Sequence, residues 1–155
     1  MTADVLSERT TEVYRSFIEA VNRQDLEAAG RLVDAERYRE NCVGFTRGLV
    51  RWEEAKSSIR QVWQGLPNLH VELHDVVATG DVALAHGTAR GTATGRLYGA
   101  PATKRAFEAS FFDCVRVDNG LIVERVQQTD VLGLMRQLYG KAIGVVGLGA
   151  MLWRL

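Results

Sequence analysis

Apolar residues recur along this chain with two periods, first near 3.6 and then near 2. Tyr14, Phe17, Ile18 and Val21 fall at i, i+3, i+4 and i+7, one face of a helix that starts at Thr2 or Ser7 and ends at Asn22. Asp25 is placed to cap a short second helix through Leu32. Tyr38 to Phe45 reads as irregular chain or a short strand, broken at Gly44. Trp52, Ala55, Ile59, Val62 and Trp63 mark a third helix, which stops near Gly65 because Pro67 cannot continue it. The period then switches. His70 to Ala78 alternates until Asp75, where a bulge is expected, and Thr79-Gly80-Asp81 is a turn. Val82 to Thr92 is a strand rich in small residues. Phe107 to Val117 and Leu121 to Gln128 are the clearest strands, joined through Asn119-Gly120. Val131, Leu134, Met135 and Leu138 restore the helical period, and Gly140 ends it. Helices first, then an antiparallel meander, then a last helix predict an α+β fold rather than a parallel α/β one.

The length of 155 residues fits one domain with a sizeable core, taken as residues 1–140, followed by an apolar tail at 141–155. Nineteen acidic and nineteen basic residues cancel, and no basic block stands out. That argues against nucleic acid as the main partner, since phosphate neutralisation needs a positive face. Ala142 to Trp153 is almost wholly apolar, yet too short to span a bilayer as a helix, which needs about 20 residues. No stable membrane insertion is expected. The tail is read instead as packing on the body or on a partner subunit, with Trp153 as its anchor. The N-terminus shows no charged start followed by an apolar core, so the expected compartment is the cytoplasm, with Cys42 and Cys114 reduced.

Chemistry is sparse. Phe107, Ala109, Phe111, Asp113, Val115 and Val117 share one strand face, and the carboxylate among them is expensive unless paired. If the hairpin loop is Asp118-Asn119-Gly120, Asp113 faces Arg125 and Phe111 faces Gln127. If it is Asn119-Gly120 alone, Asp113 faces Val126. The first register is favoured because it matches charges across the ladder. Asp130 stands where a helix cap belongs, and is also a candidate general acid or base. His86, mid-strand, is either a packing residue or a proton carrier. His70, Glu72 and His74 face away from the core. The two histidines are about 13 Å apart at 3.3 Å per residue, too far for one ion, so no metal is expected. No Gly-x-Ser-x-Gly, phosphate loop or His-Glu-x-x-His occurs.

Several stretches carry a resemblance. Phe17-Ile-Glu-Ala-Val-Asn-Arg-Gln-Asp25, Leu66-Pro-Asn-Leu-His-Val-Glu-Leu73, Gly91-Thr-Ala-Thr-Gly95, Gly99-Ala-Pro-Ala-Thr103, Asp118-Asn-Gly-Leu-Ile-Val-Glu124 and Asp130-Val-Leu-Gly-Leu-Met-Arg-Gln-Leu138 are similar to SnoaL-like polyketide cyclases of the nuclear-transport-factor-2-like superfamily. The resemblance implies a cone: a curved antiparallel sheet with helices on its concave face and an apolar pocket between, dimerising through the outer face that carries Ser110, Phe112 and Cys114. It implies cofactor-free chemistry on a small apolar or polycyclic ligand, such as intramolecular aldol closure of a polyketide ring. A carboxylate near the end of the last strand would act as general acid/base. The family's Trp-Asp pair there reads Val126-Gln127, and the histidine of Gly-Thr-His-Thr-Gly reads Ala93.

On this reading Asp113, Asp130 and His86 are the proton handlers. Tyr38, Asn41, Arg125 and Gln127 bind substrate oxygens, and Tyr14, Phe111 and Trp63 complete the substrate site. A non-catalytic carrier with the same pocket, a SnoaL-like hydroxylase component and an accessory subunit are the alternatives.

Overall fold

The computed structural model describes residues 3–46 and 48–140. Expectations about the tail at 141–155 lie outside the described residues. Helix α1 (Ala3–Asn22) leads into α2 (Leu26–Gly30), where the Asp25 side chain accepts the Ala28 N–H at 2.8 Å. Strand β1 (Arg39–Cys42) and helix α3 (Trp52–Gly65) follow. Then come β2 (His70–Thr79), β3 (Val82–Thr92), β4 (Ala106–Asp118), β5 (Leu121–Thr129) and α4 (Val131–Tyr139). The sheet is curved and unclosed, in the order β1-β5-β4-β3-β2. Its last four strands are the antiparallel meander that the alternation predicts. β1 differs: it lies parallel to β5 at the sheet edge, so the sheet is mixed.

Alternation along β4 is strict. Phe107, Ala109, Phe111, Asp113, Val115 and Val117 are buried, and Glu108, Ser110, Phe112, Cys114 and Arg116 are exposed. The buried row faces two apolar clusters. One joins Tyr14, Phe17 and Ile18 of α1 to Ala85, Val115, Val117 and Ile122 of the sheet. The other joins Leu134 and Leu138 of α4 to Leu66, Leu97, Phe107 and Ala109. A bulge between Leu73 and Asp75 inverts β2, so that Val71 and Leu73 before it and Val76 after it all turn toward the core.

The β4–β5 hairpin takes neither expected register. Asp118 pairs with Leu121 across the two-residue Asn119-Gly120 loop, whose positive φ angles of 51° and 81° suit an Asn-Gly turn matched to strand twist. The register then slips at Arg116/Val117: Arg116 pairs with Glu124 but Val117 with Ile122, leaving Val123 as the extra residue. Ile122 and Val123 are both buried as a result. Beyond the bulge, Asp113 pairs with Gln127 and Val115 with Arg125. The shift keeps Arg125 on the inner face, diagonal to Asp113 rather than opposite it.

Gly87 of β3 sits across from Phe111, and an added Cβ would enter the Phe111 ring and the Glu72 carbonyl oxygen. Gly87→Ala should therefore displace Phe111 and destabilise by about 1–3 kcal/mol. Calorimetry should show the melting temperature lowered by several degrees. An unchanged melting temperature would show that Phe111 is not held there.

Candidate functional site

The register of β1 on β5 builds the site floor. Glu40 lies beside Arg125 and Cys42 beside Gln127, and alternation turns all four side chains to the inner face. There they meet Asp113. Arg125 donates from Nε and Nη2 to Asp113 Oδ2 at 3.3 and 3.0 Å, and from Nη1 to Glu40 Oε2 at 3.3 Å. Tyr14 donates to Asp113 Oδ2 at 2.5 Å and Tyr38 to Glu40 Oε2 at 2.6 Å. Phe17 covers the guanidinium, 5.7 Å from its ring centroid. Two carboxylates thus share one cation deep in an apolar core. Burial works against the charge on Arg125, but Asp113 and then Glu40 more than offset it, and its pKa lies well above the usual arginine value. Burial, reinforced by the adjacent carboxylates, pushes the Tyr14 and Tyr38 phenols upward, so both are proton donors. The Cys42 thiol is pushed up to about 12, chiefly by burial.

Above this floor is a cavity of about 120 Å³. Glu40, Cys42, Arg125, Gln127 and Thr129 form its polar side. Phe107, Ala109, Phe111 and Ala89 continue the sheet wall, and Ile59, Val62, Trp63, Leu66 and Leu134 close it from the helices. Ser58 and Tyr98, 2.6 Å apart between hydroxyls, and Phe45 complete it. Glu40 Oε2 receives both of the side chain's hydrogen bonds, and Oε1 is left unpaired among the described residues but not sealed. Asp113 Oδ1, by contrast, is buried with no partner.

The sequence-derived residues divide accordingly. Arg125, Gln127, Phe111 and Trp63 line the cavity. Asp113, Tyr14 and Tyr38 sit behind it as partners of the lining charges. Asn41 alternates to the other face of β1, beside Val126, which corrects its placement against substrate. His86 is likewise on the outer face, stacked on Phe112 at 4.9 Å and 3.5 Å from Asp75, so it is not a pocket residue. Asp130 is exposed and caps α4, accepting the Gly133 N–H at 2.8 Å, and it does not line the cavity. Glu40 and Cys42 went unseen in the sequence, because Arg39-Glu-Asn-Cys has no apolar alternation. Among the described residues, no group of three His, Cys, Asp or Glu side chains is placed to hold a metal ion.

Tyr14, Tyr38 and Cys42 keep their protons in the folded protein at pH values where an unfolded chain releases them, above about 8.5 for a thiol and 10 for a phenol. The unfolded state then binds fewer protons than the folded one, so stability falls as pH rises. The urea midpoint should hold steady from pH 7 to about 8.5 and decline above it. Tyr14→Phe removes one of these protons and should make the decline shallower. A midpoint flat up to pH 11 would contradict this reading of the cluster.

A SnoaL-like polyketide cyclase family model matches residues 11–138. Among solved structures, IdmH from Streptomyces antibioticus is 26% identical with a TM-score of 0.74, covering 83% of this chain and 97% of its own. AclR from Streptomyces galilaeus is 18% identical with a TM-score of 0.76, covering 87% of each chain. An LEH-like epoxide hydrolase from M. tuberculosis is 17% identical with a TM-score of 0.68, covering 91% of this chain and 98% of its own. The last two likenesses show the fold alone. No curated protein matches the chain. The family match runs from α1 into α4 and takes in every strand of the sheet: the chain belongs to the SnoaL-like polyketide cyclase family.

Proposed function

We propose that this protein is a cofactor-independent enzyme that moves protons on an apolar, polyketide-like small molecule, of the kind that closes a ring by intramolecular aldol addition. One observation carries the reading: Glu40 lines the cavity, and its Oε1, unpaired among the described residues, is not a sealed atom, while Tyr38 and Arg125 fix the group through Oε2. Glu40 takes the proton from a carbon next to a carbonyl, the enolate adds to a second carbonyl of the same molecule, and the proton returns to the new alkoxide. Asp113 and Tyr14 hold Arg125 in place, and Asp130 serves only as the α4 cap. The cavity of about 120 Å³ is below the ~300–1,000 Å³ of sites that enclose a drug-sized ligand, so it suits one end of a polycyclic substrate. Family membership supports a small-molecule enzyme role. IdmH is described as a proposed polyketide cyclase and AclR as a proposed hydroxylase.

The outer face supports a homodimer. Val77, Leu84 and Phe112 are 67%, 57% and 61% exposed, and they form a patch with Cys114 and His86 across β2, β3 and β4. Contiguous apolar area of this kind marks an interaction surface. Both cysteines are free, which suits the reducing cytoplasm.

Glu40→Gln should slow hydrogen–deuterium exchange at the α-carbons of bound 2-tetralone, a bicyclic ketone followed by proton NMR in D2O, by about 10²- to 10⁴-fold. Asp130→Asn should leave exchange and stability nearly unchanged, since Asn caps almost as well as Asp. If the wild-type protein binds the ketone without catalysing exchange, the carrier reading replaces the enzyme. Phe112→Asp should convert a dimer to a folded monomer in sedimentation velocity. A monomeric wild type would refute the dimer.

A further inference from the structure

We infer that Gln127 holds a ligand carbonyl oxygen in this cavity, its amide turned by the Cys42 thiol, and that the site takes an uncharged carbonyl compound in preference to a carboxylate. The inference deepens the acid–base reading and rests on it for the choice of a carbonyl ligand.

The orientation follows from hydrogen-bond chemistry. The β1–β5 register sets Cys42 beside Gln127, and Cys42 Sγ donates to Gln127 Oε1 at 2.7 Å. A buried thiol that keeps its proton offers an S–H, and the amide oxygen is its acceptor. The amide NH2 is then on the opposite edge. Gln127 Nε2 makes no hydrogen bond among the described residues, it is not a sealed buried atom, and its side chain lines the cavity. An unused donor pair is therefore presented to a ligand.

Its complement stands two residues away. Glu40 and Cys42 share a face of β1, about 7 Å apart at 3.3 Å per residue. A carbonyl oxygen on the Gln127 amide places an adjacent C–H toward Glu40 Oε1. When that C–H bond breaks, the proton goes to Glu40 and the electron pair to the oxygen held by Gln127. Arg125 contributes no free cation, because its bonds go to Asp113 and Glu40. Two carboxylates against one guanidinium repel an acidic ligand but not a neutral one.

The test uses [2-13C]2-tetralone and the carboxylate of the same skeleton, tetralin-2-carboxylic acid. Infrared difference spectra should show the C=O stretch of the bound ketone shifted to lower frequency. Gln127→Met, nearly isosteric, should abolish the shift and weaken binding roughly two- to tenfold, the loss of one neutral hydrogen bond. Cys42→Val should diminish the shift, whereas Cys42→Ser, which restores a donor, should recover it. The carboxylate should bind more than tenfold more weakly than the ketone. An unshifted stretch in the wild type, a shift that survives Gln127→Met, failure of the ketone to bind, or equal binding of the acid overturns the inference. A Gln127-dependent shift without α-proton exchange sinks the acid–base reading and leaves this one standing. Exchange without the shift does the reverse.

Discussion

Arg125 is buried between Asp113 and Glu40, and much of the functional architecture depends on it. A guanidinium in an apolar core is tolerable only when carboxylates meet it with good geometry, because the desolvation of each ion is several kcal/mol. Here the partners come from β4 and from β1, so one side chain ties the meander to the strand that arrives from elsewhere in sequence. Two phenols complete the arrangement, each donating to a different carboxylate. Losing Arg125 would leave two buried carboxylates facing each other, a far larger penalty than losing a surface pair. The cation is therefore structural first. It holds Glu40 in one orientation and leaves a single carboxylate oxygen toward the cavity.

That cluster exists because of one extra residue. Without a bulge, the two-residue Asn119-Gly120 turn would set Asp113 opposite Val126 and turn Arg125 outward. Val123 absorbs the mismatch and returns Arg125, Gln127 and Thr129 to the inner face. The tight turn and the inward charge are both satisfied, at the cost of two consecutive inward residues, Ile122 and Val123, which the core accommodates.

Much of this was legible in the chain. Helices α1, α3 and α4 and the strands of the meander follow from their hydrophobic periods, as does the buried row that isolates Asp113. The bulge at Asp75 was visible as a break in alternation. Three things were not. β1 has no local signal, because what fixes it is parallel pairing with residues some 85 positions away, as between Glu40 and Arg125. Glu40 and Cys42 were missed for that reason. β3 conceals its polarity, since its inner face carries Ala83, Ala85 and Gly87 while Leu84 and His86 face outward. The inner residues are small because α1 and the Phe111 ring come close above them, so the usual contrast between faces is reversed. Asp130 satisfied two readings at once, and only its hydrogen bond to the Gly133 N–H separates them.

On the proposed reading, the polar floor divides the work on a carbonyl compound between two groups. A base works best when its geometry is fixed and its far side is saturated, so that only the productive lone pair is free. Glu40 meets that condition through Tyr38 and Arg125. A donor works best when its own acceptor is already engaged, and Gln127 meets that condition through Cys42. The β1–β5 register sets Glu40 beside Arg125 and Cys42 beside Gln127, so the Glu40 carboxylate and the Gln127 amide lie diagonal to each other on one face. β1, parallel to β5 in an otherwise antiparallel sheet, is thus the element that brings to the polar floor both the Glu40 carboxylate and the thiol that meets the Gln127 amide.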